Sequence, residues 1–140
     1  MDSMNPPTDH RGLEVLTPEE CDRLLEETPI GRVAFLHAGE PQILPVNYRY
    51  VEGSIVIRTS IGSKMDVAEM QGRFAFEIDD WDTDTETGWS VLAHGIATVV
   101  TDEDEVARLS ALGLRPWAEE KTGDLWIRLI LDDVTGRRIA

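Results

Sequence analysis

The stretch from Arg49 to Arg73 differs in charge from the rest of the chain. It holds four bases, Arg49, Arg58, Lys64 and Arg73, against three acids, Glu52, Asp66 and Glu69. The 140 residues as a whole carry 13 Lys and Arg against 27 Asp and Glu, a formal net charge of −14. Within the stretch, Arg58-Thr59 closes an apolar, β-branched run, and Ser63-Lys64 opens a segment with helical spacing. A strand end that feeds a helix start suits an anion, because the first helical amides and the dipole favour negative charge. Arginine can grip two phosphate oxygens, lysine adds a point charge, and the hydroxyls of Thr59 and Ser63 can donate. The competing reading of the same residues is a solvated surface whose bases pair with Glu69 or Glu77.

Other chemistries find less support. A charge of −14 repels polyanions, so nucleic acid and anionic membrane surfaces are not expected as partners. The single cysteine, Cys21, leaves no disulfide framework and no multi-cysteine metal site. That usage, the lack of an apolar run near the roughly 20 residues needed to span a bilayer, and the lack of a secretory layout point to a cytoplasmic protein. His10, His37 and His94 are dispersed, without metal-ligand spacing. Asp80, Asp82, Asp84 and Glu86 alternate like a calcium loop, but Thr85 falls where the turn needs glycine and Val91 where it needs a bidentate glutamate. Neither a dinucleotide-fold glycine fingerprint nor a P-loop occurs, so a nicotinamide cofactor would be a diffusing substrate.

The elements that must position these residues follow from spacing. Residues 1–12 hold two prolines and few apolar side chains and read as a flexible lead-in; residues 13–140 read as one domain. Thr17-Pro18-Glu19-Glu20 has the form of a capping box with proline at the first helical position. Cys21, Leu24 and Leu25 then form one apolar stripe, and Pro29 stops the helix. Six strands are predicted, over 32–36, 43–48, 54–59, 74–78, 89–100 and 125–131, with Gly95 as a site for a bulge. Ala38-Gly39-Glu40-Pro41 and Glu52-Gly53 mark tight turns, and 79–86 reads as an acidic loop. A brief helix follows Ser63, and a third, acidic in its first turn, follows Thr101 and ends by Gly113. Short connections between antiparallel strands suggest a barrel with helices at its openings, a mainly β fold.

The segments Ile30-Gly31-Arg32-Val33-Ala34, Pro45-Val46-Asn47-Tyr48, Ile57-Arg58-Thr59, Gly62-Ser63-Lys64, Gly88-Trp89-Ser90-Val91 and Thr135-Gly136-Arg137-Arg138 occur in that order. Together they resemble the pyridoxamine 5′-phosphate oxidase-like flavin-binding split-barrel family over nearly all of the chain after residue 12. The resemblance implies a six-stranded antiparallel split barrel with short flanking helices. It also implies a homodimer with flavin at the subunit interface, and a flavin-dependent oxidoreductase acting on a small molecule. By the same resemblance Arg58, Thr59, Ser63 and Lys64 clamp the flavin phosphate, and Pro45, Val46, Asn47 and Tyr48 form the strand beside the isoalloxazine ring. Trp89 and Ser90 sit on the strand that approaches the cofactor or the partner, and Trp117 packs over the flavin from the other chain. FMN is the first choice of cofactor and FAD the second. F420, with its polyanionic tail, and haem rank below them. Full-length pyridoxamine phosphate oxidases carry a further C-terminal segment with basic residues, whereas this chain ends at Ala140, so oxidation of the vitamin itself is not the expectation. A flavin enzyme needs little from its side chains beyond positioning, and no acid–base residue is assigned. The second function class is a non-catalytic flavin- or haem-binding module.

Overall fold

The computed structural model describes residues 7–60, 72–115 and 124–139. In chain order these form β1 (Glu14–Val15), α1 (Pro18–Glu27), β2 (Ile30–His37), β3 (Glu40–Asn47), β4 (Arg49–Val51), β5 (Ser54–Ser60), β6 (Arg73–Asp82), β7 (Thr87–Val99), α2 (Glu103–Ser110) and β8 (Asp124–Ile139). All described pairings are antiparallel. The order across the sheet is β3-β2-β6-β7-β8-β5-β4. The 16-residue β8 serves two neighbours on one edge: its first half pairs with β5 and its last residues pair with β1. The sheet curls until both ends face one core, so that Val33 and Phe35 of β2 share a cluster with Ile55 and Ile57 of β5 and with Phe74, Phe76 and Ile78 of β6. This is a mainly β, antiparallel split barrel.

Local chemistry explains the elements. Thr17 caps α1 reciprocally with Glu20: the Glu20 amide donates to Thr17 Oγ1 at 3.1 Å, and the Thr17 amide donates to Glu20 Oε1 at 3.3 Å. The helix buries Cys21, Leu24 and Leu25 in the barrel core and plugs one opening. The β2–β3 and β4–β5 hairpins turn on Ala38-Gly39 and Glu52-Gly53, four residues with positive φ, as two-residue turns of the primed type require. β3 is an edge strand among the described residues, which is why it tolerates Pro41 and Pro45. Asp102 caps α2 by accepting from the Glu105 amide, and α2 lays Leu109 over Val56 and Trp126 in a second, smaller cluster outside the barrel. No helix among the described residues is long and apolar enough to cross a membrane.

Several expectations change in detail. Eight strands form among the described residues rather than six, because β1 and β4 are too short to show a period. The predicted second strand starts earlier, at Glu40, because Glu40 and Pro41 pair with His37 and Leu36 and leave only Ala38-Gly39 in the turn, and it stops at Asn47, where the pairing with Ile30 ends; Tyr48 beyond it donates its hydroxyl to the Leu25 carbonyl at 2.7 Å. The acidic loop shrinks to a turn, because Asp79 to Asp82 continue β6 and pair with Ser90 to Thr87. The bulge lies where Gly95 suggested, with Asp132 of β8 as the extra residue. Residues 7–12, read as a loose lead-in, carry defined contacts: the Asp9 carboxylate accepts the amides of Arg11 and Leu13 and the side chain of Arg137. The brief helix predicted after Ser63 lies outside the described residues.

Candidate functional site

The ends of β3 and β5 meet the turn that follows α2. Asn47 Nδ2 donates to the Arg115 carbonyl at 3.2 Å, and Arg58 Nη1 donates to the Leu114 carbonyl at 3.0 Å. The Arg58 guanidinium also lies 5.5 Å from the centroid of the Trp126 ring, whose indole is buried under α2. Strand alternation sets this geometry. Val56 and Arg58 point to the α2 side of β5, while Ile55 and Ile57 point into the barrel, and Thr59, with their parity, is buried on that side. Arg58 and Thr59 therefore present their side chains to opposite faces and share only the strand end. Among its described contacts Arg58 meets a carbonyl and an indole, while Glu69, one of the two acids of the surface-pair reading, lies outside the described residues.

Along Pro45 to Tyr48 the side chains of Val46 and Tyr48 belong to the core. Burial pushes the Tyr48 phenol well above its usual range, so it stays a hydrogen-bond donor, and its ring meets Phe76 edge-on at 4.8 Å. What this strand offers a ligand is its backbone on the outer edge, together with Pro45 and Asn47. Ser63, Lys64 and Trp117 lie outside the described residues.

Trp89 and Ser90 lie elsewhere. In the ladder Trp89 is opposite Arg138 of β8, whereas Arg58 is opposite Trp126. Twelve residues of β8 separate the two places, about 40 Å of strand measured along the curled sheet. Trp89 borders an open groove of about 340 Å³ with Trp81, Asp80, Asp82 and Arg138. Trp81 was not legible from the sequence, because the alternation of Phe74, Phe76 and Ile78 passes to Asp80 and leaves Trp81 on the other parity among charged neighbours; only the pairing with Gly88 shows it on β6.

The outer face of the sheet is apolar and uncovered. Ile43 is 67% exposed, and Leu36, Leu92, Ile96 and Ile130 are exposed with it. Ile96 stands opposite Ile130, and Ile43 stands opposite Ala34, which stands opposite Ala75. A hollow of about 240 Å³ on this face is lined by Arg32, Ile43, Glu77, Asp79 and Leu92. Arg32 Nη1 bridges Glu77 at 3.1 Å and Asp79 at 2.8 Å. Burial, then the Asp79 carboxylate, pushes the Glu77 carboxyl up to about 7 against the opposing pull of Arg32. A carboxyl raised on folding takes up a proton between its unfolded and folded values, so its contribution is full below about pH 4.5 and is lost as pH rises through about 7. Glu77→Gln is expected to remove this slope. Its Tm relative to wild type should rise by about 2–4 °C between pH 5 and pH 8, read by thermal melts; a constant difference would contradict the assignment.

The described residues hold no group of three potential metal ligands. Cys21 is buried in the core, which pushes its thiol up and makes it a packing residue. His94 sits on the outer face with its Nδ1 3.5 Å from the Asp133 carboxylate.

An antiparallel split barrel with polar strand ends at one opening and an open apolar face defines the class. The chain belongs to the pyridoxamine 5′-phosphate oxidase family, whose model matches residues 17–138. It is 38% identical over 138 residues to an uncharacterized protein of Mycobacterium tuberculosis, across 95% of this chain and 90% of that protein. Among solved structures it is similar to a Corynebacterium glutamicum protein provisionally named a pyridoxamine 5′-phosphate oxidase, at 29% identity and a TM-score of 0.79, covering 91% of this chain and 98% of that one. It is also similar to the FAD binding protein from Mycobacterium smegmatis, at 31% identity and a TM-score of 0.74, covering 90% and 99%.

Proposed function

We propose that two copies of this chain form a flavoprotein of the oxidoreductase type, with a flavin nucleotide held between them and a small molecule as its redox partner. The observation that carries this reading is the separation of the assigned residues into two groups at distant parts of the sheet. One chain does not wrap a flavin with both groups. Two copies packed through the exposed face around Leu92, Ile96 and Ile130 bring Trp89 and Ser90 of one copy beside Asn47 and Arg58 of the other. Burying such residues contributes about 25 cal/mol per Å² of apolar surface, and the charges on this face are already paired, as Arg32 with Glu77 and Asp79 and Arg73 with Asp132.

The residues fit a phosphorylated, planar group. The edge of β3 offers backbone donors and acceptors that no described strand uses, and an amide and a guanidinium stand at the neighbouring strand end. Ser63 and Lys64 hold the phosphate in this reading, and the indoles of Trp89 and Trp117 exclude water from the ring. A flavin so held supplies hydride or electron-pair transfer. FMN, the first choice from the sequence, and FAD, which the Mycobacterium smegmatis relative binds, share the riboflavin phosphate that these residues would contact.

Native mass spectrometry of gently purified protein tests this directly. A dimer carrying two flavins is expected, and the ligand mass distinguishes FMN, FAD, F420 and haem. Ile96→Asp should yield a flavin-free monomer. Lys64→Ala should weaken FMN by about 1.5–3 kcal/mol and riboflavin much less. Protein that neither retains nor takes up FMN or FAD would end the proposal.

A further inference from the structure

Asn47 and Arg58 stand at a fork in the sheet. β4 pairs with β5 as far as Arg49 opposite Val56. Two residues further along the same antiparallel register Asn47 would stand opposite Arg58, but there the chain leaves β5, and Asn47 pairs with Ile30 of β2 instead. No described backbone pairing joins the two residues. The turn after α2 spans the gap. Its consecutive carbonyls, of Leu114 and Arg115, accept from Arg58 Nη1 at 3.0 Å and from Asn47 Nδ2 at 3.2 Å. Neighbouring carbonyls of one chain have a separation limited by covalent geometry, so the groups that donate to them are held at a limited separation too.

The turn is itself held from two sides. Gly113, at φ 72°, ends the helix and turns the chain, and Leu114 is buried in one cluster with Val56, Leu109 and Trp126. On the other side Arg128 of β8 donates through Nη2 to the Glu105 carboxylate of α2 and through Nη1 to Ser54 Oγ of β5 at 2.7 Å. Ser54 Oγ donates in turn to the Val51 carbonyl of β4 at 2.8 Å. Arg128 thus ties the helix to the β4–β5 hairpin, which is one limb of the fork. The two charged side chains are 20% and 28% exposed, so water and salt screen them less than a surface pair.

We propose that the turn at 112–115 is a clasp over this fork that sets the spacing of Asn47 and Arg58, and that Glu105 and Arg128 are positioning residues that hold it shut. The ligand this serves rests on the flavin reading above, in which Arg58 meets the phosphate and Asn47 lies beside the ring. One molecule then bridges both limbs and gains from their being set in advance.

Two measurements test the clasp, the first without ligand. Amide hydrogen exchange of the purified chain, followed by NMR, compares wild type with Glu105→Ala, a change that keeps a good helix former and leaves the Asp102 cap, which accepts a backbone amide, in place. Exchange should rise about fivefold or more in α2 and, together with it, at Asn47, Tyr48 and Arg58, while residues 89–91 exchange as before. Glu105→Gln keeps an acceptor for Arg128 and should recover part of the protection. Glu103→Ala removes an exposed acid from the same helical turn and should change nothing. A rise confined to α2, or one shared equally by residues 89–91, would overturn the proposal. In the second measurement FMN and riboflavin are titrated against the same variants. Glu105→Ala should weaken FMN about fivefold to tenfold and riboflavin less than about twofold. Leu16→Ala, which loosens the core beside α1, should leave FMN affinity as in wild type while the chain stays folded. Equal losses of FMN and riboflavin, or an equal effect of Glu103→Ala, would count against the clasp. Wild-type protein that binds neither FMN nor FAD would end the flavin reading alone, and the exchange rates would then decide the clasp.

Discussion

Gly95→Ala should be the most damaging single-methyl change in the barrel, costing about 3 kcal/mol or more. At this position the extra residue of β8, Asp132, pushes the β8 backbone over β7. A Cβ on Gly95 would sit 2.8 Å from the Ile130 carbonyl carbon and 3.1 Å from Leu131 Cα, and closer still to the Ile130 oxygen. A flexible side chain could swing aside, but main chain cannot do so without opening the ladder. The affected ladder is the twelve-pair register that joins Gly88 and Ile139 at one end to Val99 and Ile127 at the other. Urea unfolding should show a lower midpoint with an unchanged slope if the native state survives. His94→Ala at the same bulge removes a half-exposed histidine and should cost only about 0.5 kcal/mol. Should the two variants prove equally mild, the close approach of the strands at Gly95 is wrong.

The contrast between those neighbours shows what could be read from the chain alone. A glycine inside an otherwise apolar run announces a bulge, because few other reasons keep it there. The same logic made Ala38-Gly39 and Glu52-Gly53 legible as hairpin turns, and Thr17 with Glu20 legible as a helix start. Phe74, Phe76 and Ile78 were visible as one buried face, since alternation is a local property. Partnership across the sheet was not visible. Nothing near Arg58 in sequence says that it will meet Leu114 and Trp126, and nothing near Asn47 points to Arg115. Trp81 was hidden for a different reason: charged neighbours on a solvated hairpin look like loop to a hydrophobic pattern, although Asp79 to Asp82 stay paired with Ser90 to Thr87. Arg58 and Thr59, adjacent in sequence and similar in chemistry, looked like two jaws of one clamp until the pleat turned them apart. Functional residues on a barrel are thus read most safely at strand ends, where backbone position counts, and least safely where side-chain direction decides.

Gly31→Ala is the second change expected to have a large effect, and it runs from the core to the candidate site. Gly31 of β2 pairs with Val46 of β3, and a Cβ there would come within 2.7 Å of Phe76 Cε2 and closer to Cζ. Phe76 is fully buried and cannot rotate away freely, because its ring meets Tyr48 at 4.8 Å with an interplanar angle of 73°. Tyr48 in turn holds the Leu25 carbonyl of α1. The added methyl therefore displaces Phe76, Phe76 displaces Tyr48, and the end of β3 that carries Asn47 moves with it. A destabilisation of about 2–3 kcal/mol is expected, together with weaker ligand binding at the β3 edge. Phe76→Leu supplies the control. Alone it removes ring contacts and destabilises, but combined with Gly31→Ala it makes room for the methyl. The double variant should therefore be more stable than the sum of the two losses by about 1 kcal/mol or more. Strict additivity would mean that the methyl meets something other than the ring, and that Gly31 is kept for a reason unconnected with Tyr48 and the strand beside it.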